Sequence, residues 1–216
     1  MIKNIVFDMG GVILDFNLKK TVEAEFSPRY HDAIYEHVFG ENSVWKTLDE
    51  GIYTFDQVIP GILEKIPVEL HEKITAMVTD FYDYMPPFKE TYELIKELKS
   101  KGYPIYLLSN ATPRFFDRYL DIPAISLMDG MFISCLYKLL KPQPEIYEAF
   151  CNKFSLKAEE CFFIDDMPEN IQGAINYGMS GFVYKKDLNA LEVALRVFKT
   201  SAKEIKPRYC YYGSLY

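Results

Sequence analysis

The sequence predicts an α/β fold: a doubly wound parallel (Rossmann-like) sheet with an inserted all-helical domain. Three observations predict it. Short apolar, β-branched runs recur and end at polar or acidic residues, as strands buried on both faces of a parallel sheet do. Stretches with helical spacing of apolar residues alternate with these runs, which is the order of a βαβ chain. One long segment near the N-terminus has helical spacing and no strand-like run.

The first strand is read at 2–7 and is followed by Asp8, Gly10 and Gly11. From 16 to 85 the spacing of Leu70, Ile74, Met77, Val78, Phe81, Tyr82 and Met85 is helical, and Met85-Pro86-Pro87 makes a stiff return. Residues 1–15 and 86–216 are therefore assigned to the sheet domain, and 16–85 to a helical domain lying over it. The next helix, 88–101, presents Phe88, Leu94, Ile95 and Leu98 on one side and stops at Gly102, a suitable C′ residue. Strands are read at 103–108, followed by Ser109-Asn110, at 132–135, at 161–164, followed by Asp165-Asp166, and weakly at 181–184. Helices at 144–154 and 187–198 complete the alternation, with right-handed crossovers expected throughout. The segment 201–216, which includes YCYYGSLY, has no role that the sequence reveals.

With 216 residues, the chain is long enough to bury roughly 70 % of its unfolded surface, so a core without staples is expected. Apolar residues make up 49 % and charged residues 25 %, which excludes a disordered or repetitive chain. The formal charge is −7, and the longest basic clusters are Lys19-Lys20 and Lys185-Lys186, too short to neutralise a run of phosphates. Neither nucleic acid nor an anionic membrane is expected as a partner. Cys135, Cys151, Cys161 and Cys210 form no CxxC pair, so no zinc site is expected, and reduced thiols in a cytoplasmic protein are the simplest reading. The apolar N-terminus is interrupted by Asp8 too early for a membrane span or a secretory leader.

In an open parallel sheet, ligands bind at the carboxyl ends of the strands. The residues there are Asp8, Gly10 and Gly11, then Ser109 and Asn110, then Asp165 and Asp166, with Lys141 just before a helix. A carboxylate can attack phosphorus, and a second can hold Mg²⁺, which prefers hard oxygen ligands. Ser109 and nearby backbone N–H groups can bind phosphoryl oxygens, while Lys141 can offset charge that develops in transfer. Singly, Asp8 reads as a loop residue, Ser109, Asn110 and Asp166 as helix caps beside Pro113 and Pro168, and Lys141 as a surface lysine. Their joint appearance at strand ends, in this order, points to phosphoryl transfer.

The segments IVFDMGGV, YLLSN, LKPQPEIY and FFIDDMPENIQGA resemble the four motifs of the haloacid dehalogenase-like hydrolase superfamily, across nearly the whole sheet domain. The helical segment resembles the C1 cap of that superfamily, and WKTLDEGIYTF resembles a cap segment of its sugar-phosphate phosphatases. The resemblance implies Asp8 as nucleophile and metal ligand, Asp166 as the second metal ligand with Asp165 beside it, and Gly10 as a ligand through its carbonyl. It also implies Ser109 and Asn110 as phosphate binders, Lys141 as the charge-stabilising lysine, Mg²⁺ as cofactor and a small phosphorylated metabolite as substrate.

One departure stands out. Most phosphatases of the superfamily carry an acid/base Asp two residues after the nucleophile, where this chain has Gly10. General acid–base help is worth roughly 10² to 10⁴ in rate, or about 3–5 kcal/mol of barrier. A branch resembling glucose-1-phosphate phosphatases has an Asp-x-Gly-Asn-Val form and is nevertheless associated with hydrolysis; here Gly11 replaces its Asn. The alternative expectation is a phosphometabolite-binding or interaction module whose catalysis is weakened by Gly10. A 2-haloacid dehalogenase, which needs no cation, fits the Asp165-Asp166 pair less well, and a phosphomutase would also miss the acid/base Asp. Trp45, Asp49 and Glu50 could face the site, although an aromatic at helical spacing is more often core. His31, His37 and His71 are read as surface residues without a catalytic role, and a monomer or a homodimer is expected.

Overall fold

Five parallel strands form one sheet in the order β3-β2-β1-β4-β5 in the computed structural model. The structure describes residues 1–40 and 45–200, with side chains to 197. Strand β1 (Asn4–Phe7) lies at the centre, between β2 (Ile105–Ser109) and β4 (Cys161–Asp165), with β3 (Gly130–Ile133) and β5 (Ser180–Val183) at the edges. Every residue of β1 and β4 is buried, which explains their unbroken apolar runs. The strand order reverses between β1 and β4, and this switch point is where a crevice opens at the carboxyl edge.

Between β1 and β2 the chain forms α1 (Leu18–Glu25), α2 (His31–Ile34), α3 (Trp45–Asp49), α4 (Phe55–Leu63) and α5 (His71–Thr79), then α6 (Lys89–Ser100). No strand lies between 16 and 85 among the described residues. Thr54 opens α4 with a capping box, its backbone N–H donating to Gln57 Oε1 at 2.8 Å. Val22, Ile34, Leu48, Val58, Ile74 and Met77 turn inward and join the main core. The outgoing and returning chains of this insert lie side by side, because Asp15 N–H donates to the Pro86 carbonyl and Phe88 N–H to the Ile13 carbonyl, each at 2.8 Å.

Beyond β2 come α7 (Phe115–Arg118), α8 (Pro144–Phe154), α9 (Pro168–Tyr177) and α10 (Leu188–Thr200). Alternation along the strands sends Ile5, Phe7, Phe162 and Ile164 to one face, against Leu94, Ile95 and Leu98 of α6 and Leu191 of α10. Val6, Phe132 and Phe163 go to the other, against Ile146, Tyr147 and Phe150 of α8 and Ile171 of α9. Each such side chain, fully buried, contributes about 1.5–3 kcal/mol. Helix α9 ends at Gly178, whose φ of +115° suits a residue without Cβ.

Two strands run further than their apolar residues suggest. Ser109 pairs with Ile133, and Asp165 with Val183, so both are strand residues and not loop residues; backbone pairing continues past the point where hydrophobicity stops. The histidines also differ from the surface expectation. His31, His37 and His71 are half-buried, and the Nε2 atoms of His31 and His71 lie 2.8 and 2.9 Å from the carbonyls of Phe26 and Ile66, tying down the preceding turns. Cys151 and Cys161 are buried free thiols and Cys135 is a half-buried one; Cys210 and the rest of 201–216 lie outside the described residues. Among the described residues no helix is long and apolar enough to cross a membrane.

Candidate active site

The backbone N–H of Asp8 donates to the Ile164 carbonyl at 2.8 Å, which carries the β1–β4 pairing one residue beyond the strand and holds Asp8 at the crevice. Gly11 then takes a φ of +70°, and a β-carbon there would lie 2.3 Å from Asp166 Oδ2. Only glycine allows this approach. At Gly10 an added β-carbon would make ordinary van der Waals contact with Phe16, whose Cβ would be the nearest atom at 3.5 Å.

Lys141 is the centre of the charge network. Its Nζ lies 2.8 Å from Asp8 Oδ1 and 2.6 Å from Asp165 Oδ2, and it donates to the Leu108 carbonyl at 3.1 Å. The Lys141 side chain is 1 % exposed, so the surface-lysine reading is excluded. Asn110 positions it from the backbone side: the Lys141 N–H donates to Asn110 Oδ1 at 2.9 Å, and Asn110 Nδ2 donates to the Lys141 carbonyl at 3.1 Å. Asp165 is saturated, accepting from the Met167 N–H at 2.8 Å and from Asn170 Nδ2 at 3.1 Å on both oxygens. Ser109 is buried, its hydroxyl facing the Asn110 carbonyl at 3.4 Å, outside the lining of the cavity described below.

Asp8, Asp165 and Asp166 offer carboxylate oxygens that all lie within 4.8 Å of one another. Three carboxylates against one ammonium leave an excess of negative charge at the sheet edge. Burial foremost, with the charges of Asp165 and Asp166 behind it and Lys141 opposing, pushes Asp8 up to about 7. Burial and the Asp165 charge push Asp166 up to about 6. Burial works to lower the Lys141 pKa, yet the charges of Asp165 and Asp8 outweigh it and hold the group above its ordinary value, hence charged. An all-oxygen, crowded, electron-rich set of this kind fits a hard divalent cation, whose charge would offset the repulsion.

A cavity of about 280 Å³ opens from this cluster. Asp8, Gly10, Asn110, Lys141 and Asp166 line one end, so of the site residues expected from the sequence only Ser109 and Asp165 are absent from its wall. Phe16, Trp45, Val78, Phe81, Tyr82 and Met85 line much of the rest. Trp45 packs on Phe39 and Phe81, with ring centroids 5.4 and 5.2 Å away, so it is both core and cavity wall. Asp49 lines the cavity whereas Glu50 does not. Burial and then the Asp8 charge, opposed by Lys141, push Asp49 up to about 7.

Thr112, Arg114 and Asn170 also line the cavity and were missed in the sequence. Thr112 and Arg114 were within reach of the strand-end rule, since they follow β2 by a few residues. Asn170 lies five residues beyond Asp165, on the first turn of α9, a spacing that becomes a contact only once α9 folds back against β4.

The family profile for haloacid dehalogenase-like hydrolases matches residues 2–178. The sesquiterpene phosphatase astK of Aspergillus oryzae is 27 % identical over 180 residues, covering 83 % of this chain and 88 % of the relative. The D-ribitol-5-phosphate phosphatase of Bacteroides thetaiotaomicron is 29 % identical over 192 residues, covering 84 % of this chain and 91 % of its own. A HAD family enzyme of that same bacterium, crystallised with magnesium and inorganic phosphate, superposes with a TM-score of 0.68 at 23 % identity, covering 86 % and 95 % of the two chains. The fold, the order of the strand-end residues and a profile match that spans all of them agree: this chain belongs to the haloacid dehalogenase-like hydrolase family and is an enzyme.

Proposed function

We propose that the chain is a Mg²⁺-dependent phosphohydrolase that cleaves a small phosphate monoester through a phosphorylated Asp8. The observation that carries this reading is the buried Asp8–Lys141–Asp165 network opening, with Asp166, into one cavity. Asp8 and Asp166, with Asp165 behind them and the Gly10 carbonyl, would hold the cation, which supplies charge neutralisation for the phosphoryl group. Asp8 presents an oxygen to phosphorus while Lys141, fixed by Asn110 and Asp165, lowers the cost of bringing a carboxylate and a phosphate together. Asn110, which lines the cavity just after β2, would be the phosphate-side residue, with the buried Ser109 behind it. Residues 16–85 would act as the cap, excluding water while Asp8 is phosphorylated.

The apolar wall bears on the alcohol half of the substrate. Hydroxyl groups pressed against Phe16, Trp45, Val78 and Phe81 would lose hydrogen bonds to water without replacement, so the lining favours an alcohol with hydrocarbon surface. The sesquiterpene phosphatase relative supports that choice, and the ribitol-phosphate phosphatase relative supports a polyol. Phosphate release from a panel of sugar phosphates, prenyl and alkyl phosphates and p-nitrophenyl phosphate, with and without Mg²⁺, tests the reading. Release that needs both Mg²⁺ and Asp8, and is lost in Asp8→Asn, is expected. Undiminished release by Asp8→Asn would overturn it. Mg²⁺-dependent binding without turnover would instead identify a binding module, and metal-independent halide release from a 2-haloacid a dehalogenase.

A further inference from the structure

We propose that Asp49 is the general acid and base of this site, the helical insert supplying the carboxyl group that the loop after β1 lacks at Gly10. The inference rests on the phosphohydrolase reading above. Asp49 closes α3 and lines the same cavity as Asp8 and Lys141. The other cavity-lining carboxylates, Asp8 and Asp166, belong to the charge cluster beneath the phosphoryl position. Among the described residues no hydrogen bond or ion pair holds the Asp49 carboxyl, so it is free to meet a substrate oxygen.

Its backbone, by contrast, is held fast. The Ser134 hydroxyl donates to the Asp49 carbonyl and accepts from the Ala111 N–H at 2.9 Å, joining the insert to the loop that carries Asn110. Two residues on, Gly51 has a φ of +71° and sits so close to the core that a β-carbon would lie 2.3 Å from the Cys135 carbonyl oxygen. A catalytic acid needs this combination of a fixed backbone and an uncommitted carboxyl. The shift of Asp49 to about 7 keeps a protonated fraction present near neutrality, where an ordinary aspartate would have none to give.

In the first step an oxygen of Asp8 bonds to phosphorus as the bond from phosphorus to the alcohol oxygen breaks. The departing oxygen keeps the electron pair and takes the proton of Asp49, so the products are the alcohol, phospho-Asp8 and ionised Asp49. In the second step Asp49 removes a proton from water as the water oxygen bonds to phosphorus. The bond from Asp8 to phosphorus breaks, its electron pair returns to Asp8, inorganic phosphate leaves, and Asp49 is protonated again.

The test compares an alkyl phosphate, whose alkoxide must be protonated to leave, with p-nitrophenyl phosphate, whose anion leaves unaided, using wild type, Asp49→Asn and Asp49→Glu in Mg²⁺. For Asp49→Asn we expect steady-state turnover of the alkyl phosphate to fall by on the order of 10²–10⁴. With p-nitrophenyl phosphate the same variant should release about one p-nitrophenol per site in a burst and then turn over slowly, because water attack lacks its base. Asp49→Glu, which keeps the carboxyl, should recover part of the alkyl phosphate rate. A loss below tenfold on both substrates, or equal losses without a burst in both variants, would overturn the assignment of Asp49 while leaving Asp8-dependent hydrolysis by wild type intact. Wild-type hydrolysis that persists in Asp8→Asn would instead overturn the phosphohydrolase reading.

Discussion

Gly51 meets the carbonyl of Cys135 so closely that an added β-carbon would stand 2.3 Å from its oxygen, at a φ of +71°. The helical insert is thereby seated on the turn after β3 at a position that only glycine can fill. Gly51→Ala should strain this backbone and part the two surfaces, costing about 1–3 kcal/mol. Denaturant unfolding measures that cost, and because Asp49 is two residues away, the rate on an alkyl phosphate should fall together with stability.

Lys141 stands between two carboxylates in a site where its side chain is 1 % exposed. Lys141→Met keeps the bulk of the stem and removes the charge, leaving Asp8 and Asp165 to repel one another. Breaking a buried ionic network on one side costs about 3–5 kcal/mol. Unfolding at pH 8 should show the loss, and a smaller loss at pH 5 is expected because protonation of Asp8, already held at about 7, relieves the repulsion.

Gly11 is the second tight approach. Gly11→Ala would place a carbon 2.3 Å from Asp166 Oδ2 and so displace the carboxylate expected to hold Mg²⁺. Magnesium affinity, read by calorimetry, should weaken by about 10- to 100-fold, as when a group that orients a ligand is lost. Activity at saturating Mg²⁺ should recover in part.

Asp49 links function to stability. Its folded-state pKa of about 7 stands above the ordinary 3.8, so the folded chain holds a proton that the unfolded chain has lost at intermediate pH. Stability from this group therefore declines as pH rises from about 4 to about 7, and the full penalty is present above that range. Asp49→Asn, with metal chelated, should raise Tm at pH 8 and leave it nearly unchanged at pH 4. Each kcal/mol recovered appears as about 2–4 °C in a chain of this size. Loss of turnover accompanied by a gain in stability is the pattern of a residue retained for chemistry.

Gly10 has room for a β-carbon, which would meet nothing nearer than Phe16 Cβ at 3.5 Å. Gly10→Asp should therefore fold, with a Tm close to wild type. In the Asp49→Asn background it should restore at least tenfold of the lost alkyl phosphate turnover, since it offers a carboxyl to the same cavity. In the wild-type background the gain should be small. Steady-state rates of the four proteins form a double-mutant cycle that checks both expectations.

The parallel sheet, its alternation with helices and the helical insert were legible because each is written in local spacing: unbroken apolar runs for strands buried on both faces, a repeat near 3.6 for helices, glycine and proline at the breaks. Asp8, Lys141, Asp165 and Asp166 were legible as a group because a parallel sheet gathers the ends of its strands, so polar residues that follow apolar runs must come together. What the sequence by itself determined is this one-dimensional order of strands, helices and strand-end residues. The tertiary structure alone decided that the Asn110 side chain grips the Lys141 backbone, that Asn170 reaches back to Asp165, and that Asp49 enters the cavity while Glu50 stays out. The physical reason is range. Periodicity reflects the geometry of neighbouring residues, whereas the seat of Asp49 depends on Gly51 meeting Cys135 and on the Ser134 hydroxyl, contacts across some eighty residues that only close packing brings within bonding distance.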